Sequence, residues 1–137
     1  MQEVPETLES LVNLVTLKLD DNQIEKLPAN VGKMESLEEI FCAENFLTTL
    51  PPSIGWLRKL HTLNVDENDL EDFPPEIGSC RNMKILSAHG NKLTGLVVMS
   101  KMITSITTSA FPNPFIPLQR KCPASEDLTS FMYKVLL

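Results

Sequence analysis

Histidine, aromatic residues and cysteine are all scarce in this chain. Of its 137 residues two are histidine, His61 and His89, and 6% are aromatic. Few histidines leave little material for general base chemistry or metal binding. The chain also lacks a glycine-rich phosphate loop, a Cys-x-x-Cys pair and a His-Glu-x-x-His run, the local signatures of nucleotide, redox and zinc sites. No catalytic residue, cofactor or metal is therefore expected, and the chain reads as a non-enzyme. Basic residues are the minority, 12 Lys and Arg against 18 Asp and Glu, for a net charge of -6. That balance argues against nucleic acid, whose phosphates call for basic patches. The three cysteines, Cys42, Cys80 and Cys122, are an odd, scattered set and make no disulfide framework. No Asn-x-Ser/Thr sequon occurs. The first thirteen residues show no basic region leading into an apolar run. No stretch approaches the ~18 apolar residues of a membrane span. A reduced, cytosolic protein is the expectation.

What the chain does have is a period. Asn22, Asn45, Asn68 and Asn91 follow one another at intervals of 23 residues. Around Asn68 stand Leu60, Leu63, Val65, Leu70, Phe73, Pro74, Ile77 and Gly78, and the same frame precedes it as Leu37, Ile40, Cys42, Leu47, Leu50, Pro51, Ile54 and Gly55. One step earlier it reads Leu14, Leu17, Leu19, Ile24, Leu27, Pro28, Val31 and Gly32. An L-x-x-L-x-L-x-x-N-x-L core at this period is the signature of leucine-rich repeats. The expected fold is an α/β leucine-rich-repeat solenoid with a parallel concave sheet and an irregular or short helical convex side.

Each part of the frame has a chemical reason. Alternation in a strand sends Leu63 and Val65 inward and Thr62, Asn64 and Asp66 outward. The asparagine amide carries donors and an acceptor, so it can satisfy loop backbone groups buried between repeats. Pro28, Pro51 and Pro74 favour an extended return path. Gly32, Gly55 and Gly78 are expected where the chain turns again, at positive φ. Cys42 takes an inward strand position and Cys80 the return-path slot of Met34 and Leu57, so both are expected in the core.

The frame sets the boundaries. Residues 1–13 read as the return half of a repeat, because Val4, Pro5 and Leu8 stand 23 before Leu27, Pro28 and Val31. A solenoid normally hides its terminal core under a cap. None is recognisable before Leu14, so Leu8, Leu11 and Leu14 are expected to be open, and the chain reads as a piece of a longer array. Repeats start near residues 14, 37, 60 and 83, and the array occupies 1–96. From Val97 the pattern fails: Val97, Ser100 and Lys101 stand in the Pro, Ile and Gly slots, and Pro114 takes the Asn slot. Residues 97–137 are expected to form an irregular or disordered tail.

Function in a solenoid lies in the variable positions of the concave sheet, which form one broad surface. In columns these are Thr16, Glu39, Thr62, Ile85; Lys18, Phe41, Asn64, Ser87; Asp20, Ala43, Asp66, His89; and Asp21, Glu44, Glu67, Gly90. The last column stacks three acids, and like charges ~5 Å apart repel by about 0.8 kcal/mol even in water. A basic protein partner would relieve that repulsion; a solvated rim that aids solubility is the plainer alternative. Phe41, at an outward position with Phe46 following Asn45, reads as an exposed anchor among acids. The expected protein-binding face comprises Asp20, Asp21, Phe41, Glu44, Asn64, Asp66, Glu67 and His89. His61 reads as an ordinary surface histidine.

Several stretches go beyond the generic repeat: Leu19-Asp20-Asp21-Asn22-Gln23, Val65-Asp66-Glu67-Asn68, Pro75-Glu76-Ile77-Gly78-Ser79-Cys80 and Gly90-Asn91-Lys92-Leu93. They resemble the later repeats of the LAP family, scaffolds that carry leucine-rich repeats and PDZ domains, and its erbin and densin branch more than its scribble branch. Ile116-Pro117-Leu118-Gln119 and Leu128-Thr129-Ser130-Phe131-Met132-Tyr133 are similar to the segment after the last repeat there. The resemblance implies a cytoplasmic adaptor, peripheral at basolateral membranes, junctions or synapses through the full-length protein. Its partners would be receptor or small-GTPase signalling components. It also implies that about two repeats are missing between Leu96 and Phe115. No PDZ domain stands in this chain, so binding of C-terminal peptides does not carry over. A Ras-group repeat scaffold, which shares the L-P-x-x-I-G pattern, and the recognition arm of a larger enzyme are the alternatives.

Overall fold

The computed structural model describes residues 4–93. The boundary near Leu96, the tail readings and Cys122 all lie outside the described residues. Within them four units repeat, each a 3-10 helix and then a short strand: η1 (Glu6–Ser10), β1 (Thr16–Lys18), η2 (Val31–Lys33), β2 (Glu39–Phe41), η3 (Pro52–Trp56), β3 (Thr62–Asn64), η4 (Pro75–Ser79) and β4 (Ile85–Ser87). The strands form one open parallel sheet in the order β1-β2-β3-β4. Their register pairs residues one period apart, Leu17 with Ile40, Ile40 with Leu63, and Leu63 with Leu86. The fold is a leucine-rich-repeat solenoid. Its helical side consists of 3-10 turns, with no α-helix among the described residues.

The frame residues make the core. Ile24, Leu37, Ile40, Leu47, Leu60, Leu63, Val65 and Leu70 have no solvent exposure. Burying each aliphatic side chain stabilises the fold by about 1.5–3 kcal/mol. Leu8 and Leu14 are half-buried against this core, so of the three leucines expected to be open only Leu11 is fully so. Pro51 and Pro74 hold the expected extended backbone, with ψ of 141° and 139°.

The glycines act differently from expectation. Gly32, Gly55 and Gly78 lie inside 3-10 helices, and the described glycine with positive φ is Gly90. The requirement at Gly32 and Gly55 is space. A Cβ on Gly32 would stand 2.1 Å from the Ser53 carbonyl oxygen, and one on Gly55 2.4 Å from that of Glu76. Successive 3-10 helices therefore touch backbone to backbone through these two residues.

A ladder of asparagines and a single serine tie the repeats together. The Asn45 amide donates to the Leu19, Cys42 and Ala43 carbonyls, and its Oδ1 accepts from the Ile24 N–H at 3.0 Å. Asn68 does the same for Cys42, Val65, Asp66 and Leu47, and Asn91 for Val65, Ala88, His89 and Leu70. Asn22 reaches Leu19 and Asp20 in its own repeat. The second link is Ser53, which is buried. Its hydroxyl donates to the Ala29 carbonyl at 2.7 Å and accepts from the Gly32 N–H at 3.2 Å. Nothing in the period marked Ser53, because the other repeats do not carry serine in that slot.

Both described cysteines are buried and unpaired. Burial, with a smaller contribution from Asp20, pushes the Cys42 thiol up to about 12 from 9.0. Burial alone takes Cys80 to about 11; its Sγ donates to the Ile54 carbonyl at 3.3 Å. These are inert core thiols. They also fix a pH dependence. Above pH 9 the unfolded chain releases thiol protons that the folded chain keeps, so the unfolded state binds fewer protons and stability falls. The stabilisation is complete below pH 9 and is lost as pH rises through 11 to 12. Each thiol adds a slope approaching about 1.4 kcal/mol per pH unit. Denaturant melts between pH 8 and 11 should show this decline, and Cys42→Ala with Cys80→Ala should flatten it. An equally steep decline in the double variant would contradict burial of the thiols.

Candidate protein-binding surface

The acid column owes its place to a turn. Three residues past the end of each strand the chain passes through Asp21, Glu44 and Glu67, with φ of 54°, 55° and 50°, and Gly90 at 69°. A left-handed conformation costs a residue with a side chain about 1–2 kcal/mol. The turn persists because it aims each backbone N–H at the next repeat: Asp21 to the Ala43 carbonyl, Glu44 to Asp66 and Glu67 to His89. The same twist sets the three carboxylates in one exposed row along the rim of the sheet.

Phe46 stands next to that row, two residues past Glu44. Its backbone N–H donates to the Ile24 carbonyl, which holds the loop down, while its side chain is left 53% exposed. Asp21, Asn22, Gln23, Glu44, Asn45, Phe46 and Glu67 line one open concavity of about 700 Å³. An exposed phenyl ring in a concavity lined by three acidic residues offers apolar contact and negative potential in one region, although the Glu67 carboxylate itself lies against Gly90. A cation on an aliphatic stem suits both.

Phe41 departs from expectation. It is half-buried, with the Lys18 Nζ lying 5.6 Å from its ring centroid. The neighbouring repeat therefore covers this ring with its own cation, and the open aromatic of this region is Phe46. Thr62 is also buried despite its outward position, its hydroxyl 2.9 Å from His61 Nδ1. His61 further approaches Glu38 at 3.7 Å.

The other candidates divide by what their side chains already do. The Asp20 carboxylate accepts from the Ala43 N–H at 2.8 Å. Asp66 accepts from the His89 N–H and from the Ser87 hydroxyl with both oxygens. Asn64 Oδ1 accepts from the Asp66 N–H at 2.9 Å. These three help to build the surface and still present an edge to it. Asp21, Glu44, Glu67 and His89 are exposed. The structure thus gathers Asp21, Glu44 and Glu67 around Phe46, whereas Phe41, Asn64, Asp66 and His89 belong to the strand positions of the sheet or the residues just after them.

Among the described residues no group of His, Cys, Asp and Glu could hold a metal ion. No helix among them is long and apolar enough to cross a membrane.

No family model matches the chain, and no curated protein does. Solved structures do. A leucine-rich-repeat protein of Leptospira interrogans is similar over 76% of this chain and 27% of its own, with 30% identity and a TM-score of 0.71. The repeat ectodomain of the Arabidopsis thaliana membrane receptor kinase GASSHO1/SCHENGEN3, solved in complex with Casparian strip integrity factor 2, is similar over 72% of this chain and 12% of its own, with 33% identity and a TM-score of 0.64. A chain of the BIR3–SERK2 complex of Arabidopsis thaliana matches over 69% of this chain and 51% of its own, at 25% identity and a TM-score of 0.58. The chain therefore spans about a quarter, an eighth and half of these proteins. The likeness is to repeat arrays, two of them solved within protein complexes, and it supports a protein–protein interaction module.

Proposed function

We propose that this chain is a non-enzymatic docking module that holds a protein partner through basic side chains at its acidic rim. The observation that carries the proposal is the concavity that Asp21, Glu44 and Glu67 line together with the exposed Phe46. The ring supplies an anchor and the carboxylates steer the approach. The concave strand positions, with Phe41, Asn64, Asp66 and His89, extend the contact. In its wider setting the module acts as a scaffold for receptor or small-GTPase signalling in cell polarity, at junctions, basolateral membranes or synapses. The LAP-like stretches around Asn22, Asn68 and Ile77 support that setting.

The test is binding kinetics, measured with the full chain against a Lys- and Arg-rich peptide and against purified small GTPases. Phe46→Ala should mainly speed dissociation, about 30-fold for an anchor of about 2 kcal/mol. Glu44→Lys with Glu67→Lys should mainly slow association and weaken its salt dependence. All three residues are exposed, so folding should survive. Unchanged kinetics in both variants would remove the rim from the interface.

A further inference from the structure

The opposite edge of the solenoid carries a basic cluster at its third and fourth repeats. Just before each strand the chain makes a two-residue turn, and four such turns stack along this edge, at residues 12–13, 35–36, 58–59 and 81–82. The last two read Arg58-Lys59 and Arg81-Asn82, and the Asn82 amide donates to the Arg58 carbonyl, which ties them side by side. Lys84 follows, its backbone N–H on the His61 carbonyl. Arg58, Lys59, Arg81 and Lys84 are all exposed, and none has an ion pair among the described residues. Glu35 in the turn before and Glu38, which approaches His61 at 3.7 Å, are acids of the same edge one repeat earlier.

Trp56 ends η3 directly ahead of these turns and is 60% exposed, the most open large apolar side chain described. Its Cβ lies about 3 Å from where a Gly32 Cβ would be, so its base is fixed by the preceding repeat. A large open ring on a fixed base, just ahead of turns that carry exposed Arg58 and Arg81, has the composition of an interface centre, where Trp and Arg are enriched. Its complement is an apolar ring among carboxylates, and the rim around Phe46, at the other end of the strands, has that composition.

We propose that the two edges are complementary and that the chain associates with a second copy of itself head to tail, the Trp56 edge of one copy against the Phe46 rim of the next. This rests on the rim being a site for basic partners, and it names that partner as the Arg58 and Arg81 edge of another copy. The contact is heterologous, because two different patches meet, so it leaves an unused edge at each end and extends with concentration. Charge makes it salt-sensitive.

Sedimentation velocity of the full chain from 1 to 200 µM tests the proposal. Wild type should form concentration-dependent dimers and larger species in 50 mM salt, weakened by about tenfold or more in 500 mM. Arg58→Glu with Arg81→Glu should be monomeric, and so should Glu44→Lys with Glu67→Lys. Mixed in equal amounts the two double variants should associate again, because each supplies the edge that the other needs. Trp56→Ala should weaken wild-type association about tenfold or more, with an unchanged circular dichroism spectrum. A monomeric wild type at 200 µM in low salt would overturn the proposal, as would association indifferent to both reversals or a mixture that stays monomeric. The Arg58→Glu, Arg81→Glu variant keeps the rim intact. If it still binds the Lys- and Arg-rich peptide while wild type stays monomeric, self-association fails and the rim's affinity for basic partners stands. If the peptide does not bind either, both fail.

Discussion

Asn68→Ala should lower stability by about 3 kcal/mol, the upper end of the cost of leaving a buried backbone group unmet. In a domain of this size that is on the order of 10–20 °C in the unfolding midpoint. Asn68 is buried between two repeats. Its Oδ1 is the acceptor for the Leu47 N–H at 2.9 Å, and its Nδ2 serves the Cys42, Val65 and Asp66 carbonyls. A methyl group offers none of these bonds. Asn64→Ala is the comparison. It removes one bond, from the half-buried Asp66 N–H to Asn64 Oδ1, so its cost should stay below about 1.5 kcal/mol. Thermal melts of the two variants measure the difference. Equal shifts would mean that the ladder does not carry the stability assigned to it.

Gly32→Ala should be comparably damaging for a reason unrelated to hydrogen-bond chemistry. The new Cβ would sit 2.1 Å from the Ser53 carbonyl oxygen and 2.9 Å from its carbonyl carbon. Those are backbone atoms of the next 3-10 helix, and no rotamer change can move them. The helices must separate, which stretches the bond from the Gly32 N–H to the Ser53 hydroxyl and loosens packing beneath Val31 and Ile54. Overpacking of this kind costs about 3 kcal/mol. Lys33→Ala, one residue later, removes only an exposed side chain with a 3.4 Å ion pair to Glu9. It should change stability by less than about 0.5 kcal/mol. Chemical denaturation of the two variants separates the cases. A Gly32→Ala protein as stable as Lys33→Ala would show that η2 and η3 do not meet this closely in solution.

A recurring glycine has more than one physical cause. A glycine repeated every 23 residues says that a side chain is not tolerated, and two physical causes give that same pattern. Gly90, in the column of Asp21, Glu44 and Glu67, has the positive φ expected of Gly32 and Gly55. The acids in that column adopt the same turn at a cost, held there by their hydrogen bonds to the next repeat. Which cause applies depends on how near the next helix lies, and that distance is not written in one repeat.

The solenoid, the four strands, their register and the asparagine ladder are legible in the amino-acid sequence alone. Each of these is a property of one unit restated in every copy, so burial at a frame position is legible from its recurrence. The site residues carry no such redundancy. Phe41 and Phe46 looked alike as aromatics near the strand, yet Lys18 from the neighbouring repeat lies over Phe41, and Phe46 stays open among Asp21, Glu44 and Glu67. Asp20 and Asp66 share one outward column of the expected binding face, and each accepts a backbone N–H from the repeat that follows. Packing between repeats settles these, because the exposure of an outward side chain depends on which group the neighbouring copy places beside it.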